Sequence, residues 1–120
     1  MKGFDPSTGL GYVQDGDYIE VTLPYARSGG QGVLVGTLFG VCVVDGASGD
    51  VINIHTEGVY GLEAATGAST DAAIGAKAYW DNTAKKITPV ASGNSHVGAF
   101  LAAKTTTQAY ATVRLNEFVG

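Results

Sequence analysis

The chain has 120 residues, of which 45% are hydrophobic and 15% are charged, and its formal net charge is −4. This length suits one domain with its own hydrophobic core. The seven Lys and Arg residues are dispersed, which argues against nucleic acid as a partner, because neutralising phosphates requires a clustered basic face. The 18 glycines, about twice the usual share, and the charge-poor composition predict a turn-rich protein whose exterior contacts other protein.

The cysteine content and the hydropathy of the chain indicate in which cellular compartment the protein is expected. Cys42 is the only cysteine, so the chain forms no intrachain disulfide and an oxidising compartment is not implied. The first residues lack the apolar segment of a secretory signal, and no run approaches the ~20 apolar residues of a membrane span. We therefore expect synthesis in the cytoplasm and no membrane partner.

Charge is distributed unevenly along the chain. Residues 1–71 hold nine acids against two bases, whereas residues 72–120 hold five bases against two acids. Halves of opposite charge favour contact either within the domain or across a subunit interface. The sequence leaves both possibilities open.

The N-terminal segment differs from the rest of the chain. Residues 1–16 carry Pro6 and four glycines among polar residues, without alternation of polar and apolar side chains. This composition predicts an arm outside the core. Residues 17–120 are then predicted to form a β-barrel domain.

From residue 18 onward, short β-branched or aromatic runs end in turn residues about every 8 to 12 residues, which is typical of all-β folds. Gly36 and Gly40 are expected to divide the second run, and Gly58 the third. We predict a small single-domain antiparallel β-barrel or sandwich with little or no helix. The candidate strands lie within Tyr18–Leu23, Gly32–Val44, Asp50–Glu63, Ala76–Trp80, Lys86–Val90, His96–Ala103 and Ala109–Leu115.

Alternation indicates which faces are buried. In the first run, Ile19, Val21 and Leu23 share one face, so one side is expected to be buried and the other wet. Residues 38–44 are apolar on both faces. This stretch should be a central strand, or one whose outer face a second subunit covers.

Catalytic and cofactor motifs are incomplete. His55 has the His-x-Glu spacing of zinc deaminases, but these enzymes also need a Cys-x-x-Cys motif, and Cys42 stands alone. The glycine-rich residues 28–32 precede a strand, whereas a phosphate loop precedes a helix, so we expect a loop with positive φ angles. Cys42 lies between valines, which predicts a buried, inert thiol. We predict no catalytic, cofactor-binding or metal-binding residues, no cofactor, and no enzyme activity.

The segment "AIGAKAYWDNTAKKIT" predicts a hairpin. Ala76–Trp80 is the first strand, "DNTAKK" the polar turn, and Ile87 begins the returning strand. Trp80 is expected to be a structural core residue that closes one end of the barrel or an intersubunit seam. Lys85 and Lys86 are expected to be solvated turn charges or partners of the acidic N-terminal half.

Several stretches, taken together, resemble a known family. They are "SGGQGVLVGTLFGV", "EGVYGLEAATG", "AIGAKAYWDNTAKKIT", "GNSHVGAFLAA" and "ATVRL". They look like the small cement, or capsid decoration, proteins of tailed phages and prophages. That family was long catalogued as a domain of unknown function and is often mislabelled a RecA-type phage recombinase. The recombinase label does not suit this chain, because strand exchange needs a phosphate loop and a helix-flanked parallel sheet.

The resemblance implies a structural role on the virion. The protein would be made in the bacterial host cytoplasm, bind the major capsid protein on the outer surface of the head, and stabilise the shell against internal DNA pressure. Self-association is expected, as a homotrimer or alternatively a dimer. We place capsid or subunit contacts at Phe4, Tyr12 and Tyr25. The alternative function is a receptor- or glycan-binding β-module of a phage particle, for which Tyr25, Tyr60 and Tyr79 would be exposed aromatic residues.

Overall fold

The computed structural model describes the backbone of residues 4–5 and 10–11, and residues 18–115 in full. The described residues form eleven strands and no helix, and every ladder between strands is antiparallel. The prediction of an all-β antiparallel fold is confirmed. The strands are β1 (Phe4–Asp5), β2 (Leu10–Gly11), β3 (Tyr18–Thr22), β4 (Gly32–Val35), β5 (Leu38–Cys42), β6 (Val51–His55), β7 (Gly58–Glu63), β8 (Lys77–Asp81), β9 (Lys86–Thr88), β10 (Ser95–Phe100) and β11 (Tyr110–Leu115).

Nine of these strands form two sheets. The first sheet has the order β3-β6-β5-β4 and the second the order β7-β11-β10-β8-β9, while β1 pairs with β2. The second sheet curls until its two edges approach each other. Ala64, just after β7, forms a bridge with Ile87 of β9, and the Ala65 N–H donates to the Ile87 carbonyl at 2.8 Å. The curl turns one face of this sheet into an enclosed interior.

Glycines divide two of the long apolar runs. Gly36 lies in the β4–β5 turn with a φ of +64°, and Gly58 begins β7 with a φ of +118°, so both mark a point where one run becomes two strands, as predicted. The same prediction for Gly40 is wrong, because Gly40 lies inside β5. A Cβ there would come within 2.7 Å of the His55 carbonyl oxygen on β6. Gly40 thus permits a close approach between two strands and does not bend the chain.

The hydrophobic core consists of two clusters. The larger lies within the curled second sheet and includes Trp80 and Phe100, and the smaller lies on one face of the first sheet and includes Val33 and Ile54. Fully burying a side chain of this size contributes about 1.5–3 kcal/mol. Each cluster thus keeps one face of its sheet out of water.

Strand β5 lies between the two clusters. Phe39 and Val41 pack into the larger cluster and Cys42 into the smaller. Both faces of β5 are therefore covered within the chain, and the prediction of a central strand is confirmed. Beyond the strand, Val43 and Val44 are exposed.

The two sheets repeat one four-strand unit. In the first, strands β3, β4, β5 and β6 lie side by side in the order first, fourth, third, second. Strands β7, β8, β10 and β11 follow the same order, with β9 added beyond β8. We call residues 18–55 unit 1 and residues 58–115 unit 2.

The register of the strands is also repeated. Cys42 on the third strand opposes Ile54 on the fourth in unit 1, and Phe100 opposes Val113 in unit 2. All four of these side chains are buried. The two units therefore place equivalent residues in their cores, pair by pair.

Two glycine positions recur between the units. Gly30 and Gly75 both have a φ of +89°, and their N–H groups donate to the carbonyls of Cys42 and Phe100. Gly40 and Gly98 are equivalent as well, since a Cβ at either would collide with a carbonyl of the fourth strand, that of His55 or Arg114. In both units this carbonyl belongs to the residue that opposes the next residue along the third strand. Both positions require glycine for backbone reasons, one for its φ angle and the other for space.

Candidate functional site

The β8–β9 hairpin positions the residues that join the two units. Asp81 and Lys86 oppose each other at its end, so the turn comprises residues 82–85 and the predicted hairpin is confirmed. The Asp81 Oδ1 accepts the N–H groups of Thr83 at 2.9 Å and Ala84 at 3.1 Å. An aspartate at the start of a turn thereby satisfies backbone donors that the strands cannot reach.

Trp80 fills the junction between the units. Its side chain is 2% exposed, and its ring centroid lies 4.9 Å from that of Phe39 on β5. Gly32 lies beneath the pair, where a Cβ would come within 3.1 Å of Trp80 Cζ3 and 2.6 Å of Phe39 Cζ. The Trp80 Nε1–H donates to Asn82 Oδ1 at 3.0 Å, which satisfies the polar end of a buried indole.

Tyr25 connects this hairpin to unit 1. Its hydroxyl donates to Asn82 Oδ1 at 2.8 Å and accepts the N–H of Leu34 at 3.0 Å. Leu34 belongs to β4, an edge strand, so the tyrosine occupies a backbone donor on an open sheet edge. The Asn82 oxygen thus joins Trp80 of unit 2 to Tyr25 of unit 1. The role of Tyr25 as a capsid contact stays a prediction.

Two cations lie against the Tyr25 ring. Lys85 Nζ is 4.3 Å and Arg27 Cζ is 5.4 Å from the ring centroid, within cation–π range. Lys85 also donates to the Asn82 carbonyl at 2.6 Å and is half-buried, whereas Lys86 is exposed. The two lysines therefore differ: Lys86 is a solvated turn charge, and Lys85 is part of the contact between the units.

A cleft of about 220 Å³ lies beside this contact. Its glycine-rich side is the loop 29–32, where the φ of +89° at Gly30 confirms the predicted positive angle. Its other side comes from unit 2, and Gln31 Nε2 donates to Glu63 Oε1 at 3.5 Å. Among the described residues, none that lines the cleft is a histidine or cysteine. Its chemistry is that of a polar recess, with guanidinium, ammonium, carboxylate and phenol groups around peptide backbone.

Phe4, Tyr12 and His55 are the other residues considered from the sequence. The structure describes only the backbone of Phe4, in β1, and Tyr12 lies outside the described residues. His55 packs edge-on against Tyr18, with ring centroids 4.6 Å apart. Within residues 18–115, no group of three or more His, Cys, Asp or Glu side chains is placed to hold a metal ion. The contact roles predicted for Phe4 and Tyr12 stay predictions.

Cys42 has the environment predicted for it. The thiol is buried in the smaller core cluster. Burial raises the pKa of the Cys42 thiol, and the nearby positive charge of Arg27 opposes this rise only in part. Because the thiolate is the reactive form, the group is a packing element and not a nucleophile.

Lys104 is a buried residue that the sequence analysis missed. It is 4% exposed, and its Nζ donates to the carbonyls of Thr70 at 3.0 Å and Thr105 at 2.9 Å. Burial lowers the pKa of Lys104, and the negative charge of Asp71 partly offsets this effect. The residue ties the loop before β8 to the loop before β11. A lone lysine in the polar stretch "AAKTTT" has no local signal for such a role.

The architecture is that of an all-β body whose two units share a packed contact. No helix in the described part of the chain is long and apolar enough to cross a membrane. A family model described as phage cement protein matches residues 13–115. The chain belongs to the phage cement protein family, a family of structural proteins, and this confirms the resemblance seen in the sequence. Neither the curated proteins nor the solved structures include a significant match.

Proposed function

We propose that the protein binds the outer surface of a tailed-phage head shell and stabilises it against internal DNA pressure. The observation that carries this proposal is the family match over residues 13–115. Its partner is the major capsid protein, and it acts on the virion without catalysis or cofactor after synthesis in the host cytoplasm. A homotrimer is the assembly we favour, with a dimer as the alternative.

The fold supports a cement role on mechanical grounds. A cement protein has to transmit force between capsid subunits without deforming, and close-packed interiors have low compressibility. Here the Trp80–Phe39 contact and the shared Asn82 oxygen tie one unit to the other. A contact of about 800 Å² per partner is enough for specific binding, and repetition over a shell lets modest contacts act together.

Residues 1–16 and Tyr25 are the proposed capsid or subunit contacts. Phe4 and Tyr12 belong to the proposed arm of residues 1–16, and residues 17–120 are the proposed barrel domain. Aromatic side chains supply large contact areas at low entropic cost and are enriched where binding energy concentrates.

The glycan-binding alternative loses its motivating observation. It depended on Tyr25, Tyr60 and Tyr79 being exposed, and this expectation is wrong because the structure places all three half-buried. Tyr79 packs against the ring of His96, and Tyr60 packs on the larger core cluster. The three tyrosines therefore form no exposed aromatic platform.

Binding to undecorated heads tests the proposal. Purified protein is added to DNA-filled heads of the parent phage that lack it, and the particles are imaged by cryo-electron microscopy and heated while DNA release is followed by dye fluorescence. We expect regular added density on the outer shell and a higher release temperature. A variant that lacks residues 1–16 is compared under the same conditions, and it should bind more weakly. Shells without added density at saturating protein would refute the proposal.

A further inference from the structure

Each unit exposes an equivalent pair of apolar side chains. In unit 1, Val43 is 41% and Val51 is 58% exposed; in unit 2, Leu101 is 39% and Tyr110 is 66% exposed. These are large apolar groups on strands or immediately beside them, where one face of the sheet already covers a core.

The hydrogen bonds establish that the pairs are equivalent. The Val43 N–H donates to the Asn53 carbonyl at 3.4 Å, and the Leu101 N–H donates to the Thr112 carbonyl at 2.9 Å. Val51 and Tyr110 lie two residues before these acceptors and so share a face with them. We call these surfaces face 1 (Glu20, Val43, Val51 and Asn53) and face 2 (Lys77, Leu101, Tyr110, Thr112 and Arg114).

The two faces carry opposite charges. Glu20 opposes Asn53 on face 1, whereas Arg114 and Lys77 both oppose Ala99 on face 2. Glu63, opposite Tyr110, is the acid beside face 2, and it receives a hydrogen bond from Gln31. The units as wholes show the same asymmetry: residues 18–55 hold three acids and one base, and residues 58–115 hold three acids and five bases.

Both faces remain exposed in the single chain, so their complementary charges meet only between copies. We infer that face 1 of one copy binds face 2 of the next, with Val43 and Val51 against Leu101 and Tyr110. Pairing a face with its own kind would oppose like charges, which costs free energy. The contact is therefore head-to-tail, and a head-to-tail contact closes into a ring when its rotation permits. This inference concerns self-association, not capsid binding.

Two single substitutions separate a head-to-tail contact from a symmetric one. Val51→Asp places a charge in face 1 that the contact would have to bury, and Tyr110→Asp does the same in face 2. Native mass spectrometry of each purified variant should show monomers at a concentration where the unmodified chain assembles, since each variant loses one of the two surfaces that every contact needs.

Mixing the variants is the decisive step. Val51→Asp retains face 2 and Tyr110→Asp retains face 1, so the mixture should form one-to-one dimers that grow no further. A mass label on one variant identifies the dimer as mixed. In a symmetric contact through face 1 alone, Tyr110→Asp would assemble normally and the mixture would show no new dimer.

Matched controls guard against misfolding. Ile74→Asp changes a side chain that is 69% exposed in the loop before β8, outside both faces, and should leave assembly intact. Leu101→Asp replaces Tyr110→Asp if the latter melts at a lower temperature. Glu20→Arg should weaken association at least about tenfold, and combining it with Arg114→Glu should restore most of the loss.

Three results would overturn the inference. The first is an unmodified chain that stays monomeric at about 100 µM, where even contacts weaker than micromolar are populated. The others are a face variant that assembles like the unmodified chain and a mixture of the two variants that stays monomeric. No capsid is present in these experiments. Their failure would leave capsid binding unaffected, and failure to bind heads would leave the ring contact unaffected.

Discussion

The Tyr25 hydroxyl is a single polar atom that links an edge strand of unit 1 to a turn of unit 2. Tyr25→Phe removes its hydrogen bonds to Leu34 and Asn82 and leaves the Leu34 N–H without its partner. We expect a loss of about 1–2 kcal/mol in the free energy of unfolding, measured in urea. Tyr18→Phe is the control, because the Tyr18 hydroxyl has no hydrogen bond within the described residues. Equal losses in the two variants would contradict this account.

Lys104 makes the free energy of unfolding depend on pH in a predictable direction. Burial lowers its pKa in the folded state below the ordinary 10.5. At pH values between the lowered pKa and 10.5, Lys104 is protonated in the unfolded chain and deprotonated in the folded chain. The free energy of unfolding therefore rises with pH over this range. Lys104→Met removes this dependence. Unfolding titrations at several pH values from neutrality to 10.5 should show the unmodified chain gaining stability relative to the variant.

Lys86→Met is the matched control for that measurement, since Lys86 is exposed in the β8–β9 hairpin. Its stability should run parallel to that of the unmodified chain over the same pH range. If the Lys104→Met curve were also parallel, the buried ammonium would not be the titrating group.

At the scale of strands, glycines determine how closely β10 approaches β11. A Cβ at Gly98 would collide with the Arg114 carbonyl. Because this carbonyl belongs to the backbone, it cannot rotate away as a side chain could. Gly98→Ala should therefore reduce the free energy of unfolding by about 1–3 kcal/mol, the cost of overpacking. Gly61→Ala on β7 is the control, because its Cβ would meet nothing within 4 Å. That change should be neutral or stabilising by less than about 1 kcal/mol. A smaller effect at Gly98 than at Gly61 would be inconsistent with the close approach.

The same strands show why the sequence predicts some features and not others. Alternation and turn residues are local signals, so the strands, the hairpin and the buried thiol follow from them. The repeat of the four-strand unit does not follow from local signals, because equivalent strand positions share a backbone geometry and not a residue type. Gly40 and Gly98 are an exception, since both positions hold glycine. Tyr25 and Asn82 lie 57 residues apart in the chain. No local pattern indicates such a pair, or that Lys104 is buried in a polar stretch.

At the scale of the whole molecule, the two units form one folding unit. Phe39 and Val41 belong to unit 1 by sequence, yet they pack in the cluster that contains Trp80 and Phe100 of unit 2. The smaller cluster that unit 1 keeps for itself has six buried residues. A segment of this size rarely has a stable core alone, because chains below about 40 residues usually need disulfides, metals or association.

Shared packing predicts coincident unfolding of the two units. Trp80 fluorescence reports the junction, and far-UV circular dichroism reports the strands of both units, so in the unmodified chain both signals should have one midpoint in urea. Phe39→Ala removes the ring that contacts Trp80 at 4.9 Å and should cost about 3–5 kcal/mol. Because the larger cluster keeps most of its members, unit 1 should then unfold first, which breaks the junction and changes the fluorescence. The circular dichroism signal of the unit 2 strands should be lost at a higher urea concentration. Ile74→Ala, at an exposed site outside both clusters and both faces, should leave the midpoints together. Separate midpoints in the unmodified chain would show that the units fold independently.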